Sequence, residues 1–225
     1  MIGPDMQTWR QLGSSAYVRF SLLALSSIFF LVDPFAALPT FLAVTADQDA
    51  AKRVRTARKA SLTALVILTT FAAAGQLIFR VFGITLPAFE IAGGIILLLI
   101  GLDMLEAKRS ATQESSGETE AAASKDDAGI VPMGIPMLAG PGAITSVMVL
   151  VGQAQDLRER MAIYSAILIT CAVCFLVLGS AARVARALGD TGIRILVRIM
   201  GLLLVALAVQ DFVNGLMDLG LIHRP

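Results

Sequence analysis

The chain has 225 residues and a formal net charge of +1; it is 56% hydrophobic, only 16% charged, and has a mean hydropathy of +0.78. A soluble domain of this size needs far more polar surface to cover its core, and a disordered chain far fewer apolar residues, so both classes are excluded. The net charge itself excludes nothing, because it averages over loops of different sign.

In the segment 1–19 the first 13 residues are polar, with Trp9 and Arg10, and lack the basic start and small-residue cleavage site of a signal peptide. They read as an interfacial segment ahead of the first span. Six apolar blocks follow, at residues 20–44, 60–79, 84–102, 130–151, 161–182 and about 195–216. Each matches the roughly 20 residues that a membrane-crossing helix needs. The first block holds one charge, Asp33, near its middle, and the third holds Glu90 beside Gly93-Gly94. Residues 106–129 are rich in Ser, Thr, Glu and Ala with almost nothing to bury, which reads as a flexible linker. Cys171 and Cys174 have CxxC spacing but lie inside an apolar block, where small packing residues are the expectation. His223 is the one histidine, so a histidine-based metal site is not expected.

The Lys and Arg counts predict the orientation. Lys52, Arg53, Arg55, Arg58 and Lys59, with Lys108, Arg109, Lys125, Arg183, Arg186 and Arg194, put eleven on one side against six on the other. The positive-inside rule then sets the linker in the cytoplasm and both termini outside.

Self-comparison exposes a repeat. Asp33-Pro34-Phe35-Ala36 aligns with Gly140-Pro141-Gly142-Ala143, Glu90-Ile91-Ala92-Gly93 with Arg198-Ile199-Met200-Gly201, and Asp103 with Asp211, all at an offset of 107 or 108. Three spans per half is an odd number, so the halves would enter the membrane from opposite sides as an inverted repeat. The predicted fold is all-α and polytopic, with six transmembrane helices in two inverted three-helix repeats, at 20–105 and 130–219, and a tail at 220–225.

Proline removes a backbone donor and clashes with the preceding turn, so the first and fourth helices are expected to break before Pro34 and Pro141. A break frees N–H groups at the start of the downstream half-helix, where a carboxylate fits. It also frees carbonyls upstream, which suit an ammonium or a cation. Carriers with inverted repeats bind substrate at such discontinuous helices near mid-membrane. The expected substrate-binding set is Asp33, Pro34, Phe35, Ala36, Gly140, Pro141, Gly142, Ala143, Thr145 and Ser146. The alternative is a pair of packing kinks.

These motifs, taken together, resemble the MarC family: Val32-Asp33-Pro34 with Pro39, Phe89 through Gly94, Gly134-Ile135-Pro136, Ala139 through Thr145, and Arg198 through Gly201 on to Ala208 through Asp211 and Asn214-Gly215. The chain differs at Phe35-Ala36-Ala37, where the family more often has Gly and Asn. The resemblance covers nearly everything from 24 to 216 except the linker. It implies a bacterial or archaeal inner-membrane protein related to LysE-type exporters, and a carrier of glycine, alanine, serine and threonine.

Asp33 is expected to lie near a substrate ammonium or a coupling H⁺ or Na⁺, and also to cap the helix that follows. The substrate carboxylate is expected on the Gly140-Pro141-Gly142 side. Thr40 and the polar group Gln210, Asp211 and Asn214 are secondary candidates. Glu90 and Arg198 either lie near opposite membrane surfaces, which their depth slightly favours, or pair in the interior. The absence of GxxxxGK[ST], HExxH and GxSxG argues against direct ATP coupling and against an enzyme. The expectation is therefore a secondary exporter with one half rocking on the other, with no cofactor and no nucleic-acid partner. A homo-oligomer stays open, and a metal-cation carrier and a regulatory membrane protein are the competing readings.

Overall fold

Apolar blocks in lipid must satisfy every backbone N–H and C=O internally, and the computed structural model of the chain does this with helices. It describes residues 6–106, 129–130 and 133–222, and among the described residues there is no β-strand. The elements are α1 (Met6–Val32), α2 (Ala37–Val44), α3 (Ala50–Phe82), α4 (Leu86–Leu105), a π-type turn (Met133–Leu138), α5 (Pro141–Gln153), α6 (Leu157–Gly179) and α7 (Ala181–Asp218).

Local chemistry sets several of the ends. The carboxylates of Asp49 and Asp156 accept from the amides of Lys52 and Glu159, at 2.7 and 2.8 Å, and so start α3 and α6. Gly83, in the left-handed region at φ 66°, ends α3. Gly189 (φ 62°, ψ 172°) interrupts α7, so its membrane-length part is Thr191–Asp218.

Four helices are long and apolar enough to cross a membrane: Ala50–Gly75 of α3, α4, α6 and Thr191–Asp218. A fifth is formed if Tyr17–Val32 and Ala37–Val44, bent by 44°, count as one span. The sequence predicts six. The difference lies at residues 133–153, where Gly140 separates the π-type turn from α5, whose 13 residues are too few alone. The polar start, expected to lie at the interface, is helical from Met6 and continuous with α1. Most of the linker and His223 fall outside the described residues.

The packing departs from two side-by-side halves. α4 packs along α7, α3 along α6, α1 along α6, and α5 against both α3 and α4. Every extensive helix contact thus joins the segment before the linker to the one after it. The closest seam is antiparallel, with Gly94 facing Ala208 and Phe212, Gly101 facing Gly201 and Val205, and Gly215 facing Pro87 and Ile91. A Cβ at Gly94 would come within 2.7 Å of the Ala208 carbonyl oxygen, so a glycine there is required for the backbones to approach.

Candidate functional site

Pro34 cannot donate to the carbonyl four residues back, and α1 stops at Val32. The chain then turns sharply. Asp33 has φ 40°, unusual for a residue with a Cβ and a sign of a strained, over-determined position. Its amide donates to the Phe29 carbonyl at 3.0 Å. Its Oδ1 accepts from the Ala36 amide at 3.1 Å, capping the turn that leads into α2. Its Oδ2 is buried with no hydrogen-bond partner, and the residue is only 6% exposed. A carboxylate at mid-span costs about 2.5–3.5 kcal/mol on insertion scales. Half of this one is therefore accounted for by capping, and half is not.

The second break is built without charge. The π-type turn carries non-helical backbone at Ile135 (φ −134°, ψ 127°). Gly140 (φ −75°, ψ 170°) opens α5 with no side-chain cap, and Pro141 takes the first helical position. The first N–H groups of a helix have no intrahelical partners, so this start can receive a negative group.

Both breaks border one cavity of about 20 Å³. Asp33, Ala36, Gly140, Gly142 and Ala143 line it, five of the ten expected site residues. Leu97, Ile100 and Met104 of α4, Leu204 of α7 and Met137 close it on the other side. These apolar residues carry no signal in the sequence, because nothing separates a cavity-facing Leu from a lipid-facing one. The volume has room for roughly one water and not for an amino acid.

The other expected residues lie around the cavity without lining it. Pro34 is buried, and Phe35 packs edge-on to Phe29 with ring centroids 6.4 Å apart. The Thr145 hydroxyl donates to the Pro141 carbonyl at 2.8 Å, and its side chain meets Gly93. Ser146 and Thr40 are buried. Cys174 and Cys171 are buried free thiols on α6, which packs along α1.

A second polar group lies elsewhere, where α4 begins and α5 and α7 finish. Gln210 donates to Asn214 at 2.9 Å on the exposed side of α7. Glu90 is 2% exposed; its Oε1 accepts from Gln153 Nε2 at 3.5 Å, and Oε2 is buried without a partner. The antiparallel register of α4 and α7 sets Glu90 near Gly215 and Arg198 near Met104, at opposite ends of the seam. The two do not pair. Arg198 is exposed, whereas Glu90, in the first turns of α4, is covered by protein. Gln153, which shares this position with Glu90, was missed because a glutamine at the end of a span looks like an ordinary interfacial residue.

The profile of the MarC family integral membrane proteins matches residues 18–219. A UPF0056 membrane protein of Methanocaldococcus jannaschii is 43% identical over 199 residues, covering 88% of this chain and 97% of its own. One from Aquifex aeolicus is 36% identical over 212 residues, or 94% and 97% of the two chains. The UPF0056 membrane protein YhcE of Escherichia coli is 34% identical over 189 residues, or 84% and 88%. No solved structure matches.

Proposed function

We propose that this chain, which belongs to the MarC family of integral membrane proteins, is a secondary transporter that exports small neutral amino acids across the inner membrane. One observation carries the reading: two helix breaks distant in sequence meet at one small cavity, one bringing an unpartnered acid oxygen and the other an uncapped helix start. That asymmetry suits a zwitterion. Its ammonium would sit at Asp33 and its carboxylate at the amides of Gly142 and Ala143. The substrate class, glycine, alanine, serine and threonine, rests on the resemblance to the MarC family.

In this reading the π-type turn and α5 together form one broken span, giving six in two inverted repeats. Gly129 lies against Ala60, Gly134 against Thr63, and Gly75 against Met148, so the broken element runs beside α3 from Ala60 to Gly75. That stretch is roughly 22 Å at 1.5 Å per residue, most of a hydrocarbon core. The linker is cytoplasmic and both termini are outside, by the distribution of Lys and Arg. The cavity is too small for an amino acid, so this is a closed form. Opening moves the α4–α7 pair, which carries Leu97, Ile100, Met104 and Leu204, away from the breaks. H⁺ or Na⁺ coupling belongs to the same proposal.

The test is a thermal-stability and binding screen of the purified full chain against the amino acids. Binding to the folded state stabilises by mass action, about 2.7 kcal/mol at a hundredfold excess over Kd. Stabilisation by alanine or threonine, lost in Asp33→Asn, is the expected result. No response to any amino acid would overturn the reading, and a response to divalent cations alone would favour the metal-cation carrier. Only one carboxylate, that of Asp33, lines the cavity, which makes a poor cation cage.

A further inference from the structure

Glu90 is buried, charged by nature and only half satisfied, yet it is absent from the lining of the substrate cavity. Its single hydrogen bond, to Gln153 Nε2, is long at 3.5 Å. Among the described residues no lysine or arginine pairs with it. On α7 the titratable groups about one turn either side of Gly215, which packs against Ile91, are Asp211 and Asp218, which share its sign. From α5 it meets the neutral amide of Gln153. From the end of α3, Phe79 stacks on the neighbouring Phe89 with centroids 5.0 Å apart, and Arg80 is exposed. An ionised Glu90 would therefore be a buried charge with an orphan oxygen and, among the described residues, no cation paired with it. Such a group has to be neutralised.

We propose that Glu90 is a proton-binding site, and that its protonation state governs the seam between α4 and α5. The claim rests on the transporter reading only in assigning this proton to coupling. Among the described residues, no three His, Cys, Asp or Glu side chains are grouped so as to hold a metal ion, and a lone carboxylate with one amide is a poor cage for any bare cation. A proton needs only one oxygen. The protonated acid is also a donor, so Glu90 and Gln153 can exchange hydrogen bonds in both directions.

The link to the substrate cavity is mechanical. α4 carries Glu90 near its start and Leu97 two turns on; α5 carries Gln153 at its end and Gly142 at its start. The helices are antiparallel and close, with Leu86 against Gly152, Gly93 against Thr145 and Leu97 against Gly142. Glu90 and Gln153 therefore lie at one end of the seam, and the wall of the cavity lies at the other. Releasing or adding the proton at Glu90 changes how firmly the two helices hold at that end, and so whether Leu97 can leave Gly142.

The experiment uses the full chain in proteoliposomes. Alanine exchange without a gradient and alanine movement driven by an imposed pH gradient are measured for wild type and Glu90→Gln. Infrared difference spectra across a pH titration are recorded for both. The expected result is an acid carbonyl band in wild type that is absent in Glu90→Gln. Gradient-driven movement should fall by about tenfold while exchange persists, because a site that binds no proton cannot transmit the gradient. An identical band in both proteins, or gradient-driven movement unchanged in Glu90→Gln, overturns the proposal. Loss of the wild-type band on adding Na⁺ at fixed pH, with Na⁺ replacing the pH gradient as driving force, also overturns it. If wild type moves no amino acid, the transporter reading fails, and the infrared comparison alone still decides whether Glu90 binds the proton. If Glu90→Gln does not fold, Glu90→Asp carries the test, since it keeps a titratable acid and displaces the band.

Discussion

Leu97 of α4 fills the space where Gly142 of α5 has no side chain, and the two residues together make one wall of the buried cavity. A Cβ at position 142 would overlap the end of the Leu97 side chain. Gly142→Ala is expected to cost about 1–3 kcal/mol as overpacking and to lose amino-acid binding. Because the obstructing atom is the tip of a flexible side chain, adding Leu97→Ala should recover most of the thermal stability. The check is Tm together with alanine binding for both variants.

Gly93 and Gly94 are adjacent and should respond differently. At Gly93 a Cβ meets the side chain of Thr145, while at Gly94 it meets backbone, the Ala208 oxygen at 2.7 Å and the Phe212 nitrogen at 3.0 Å. Gly93→Ala should be destabilising by about 1–3 kcal/mol and be relieved by Thr145→Ser, which removes the methyl group. Gly94→Ala should cost more, with no single side-chain change to rescue it, because α4 and α7 have to separate. Thermal denaturation in detergent of the two alanine variants and the rescue pair tests the order.

Asp33 combines a positive φ, a cap and an unpartnered oxygen. Asn can keep the first two, since it tolerates the left-handed region and its carbonyl can accept from Ala36. Asp33→Asn is expected to stay within about 1 kcal/mol of wild type in stability while losing amino-acid binding. Asp33→Ala should lose the cap as well, at about 0.5–2 kcal/mol, with strain in addition. Parallel stability and binding measurements separate the structural part of Asp33 from the chemical part.

Cys174 provides a native reporter of opening. It is fully buried on α6, which packs along α1, the helix that ends just before Asp33. In a Cys171→Ala background, labelling by N-ethylmaleimide should be slow, and saturating alanine should change its rate by about fivefold or more by shifting the population between closed and open forms. A rate that ignores every amino acid would separate Cys174 from the site.

The legible part of this protein was set by residues acting locally. Runs of apolar side chains announce membrane helices because lipid tolerates no unpaired backbone. Pro34 and Pro141 announce breaks because they lack a donor wherever they sit. The family was likewise readable from motifs that fall on the two breaks and on α4 and α7, and residues 18–219 match it. Half of the expected binding residues line the cavity for the same reason: a backbone break creates the space beside it.

The remainder depended on which helices pack together, and apolar periodicity carries little of that in a membrane. A helix surrounded by lipid and one surrounded by protein present similar residues, so no pattern distinguished Leu97, Ile100 and Leu204 as cavity walls. The interlocking of the segments before and after the linker was equally hidden, since it turns on where Gly94, Gly101, Gly201 and Gly215 allow backbones to meet. Glu90 makes the contrast clearest. Its place near the start of the apolar block at 84–102 is written in the chain. Its enclosure by α4, α5 and α7, with Gln153 as its partner, arises only when the helices pack, because burial belongs to the assembled bundle and not to any one helix.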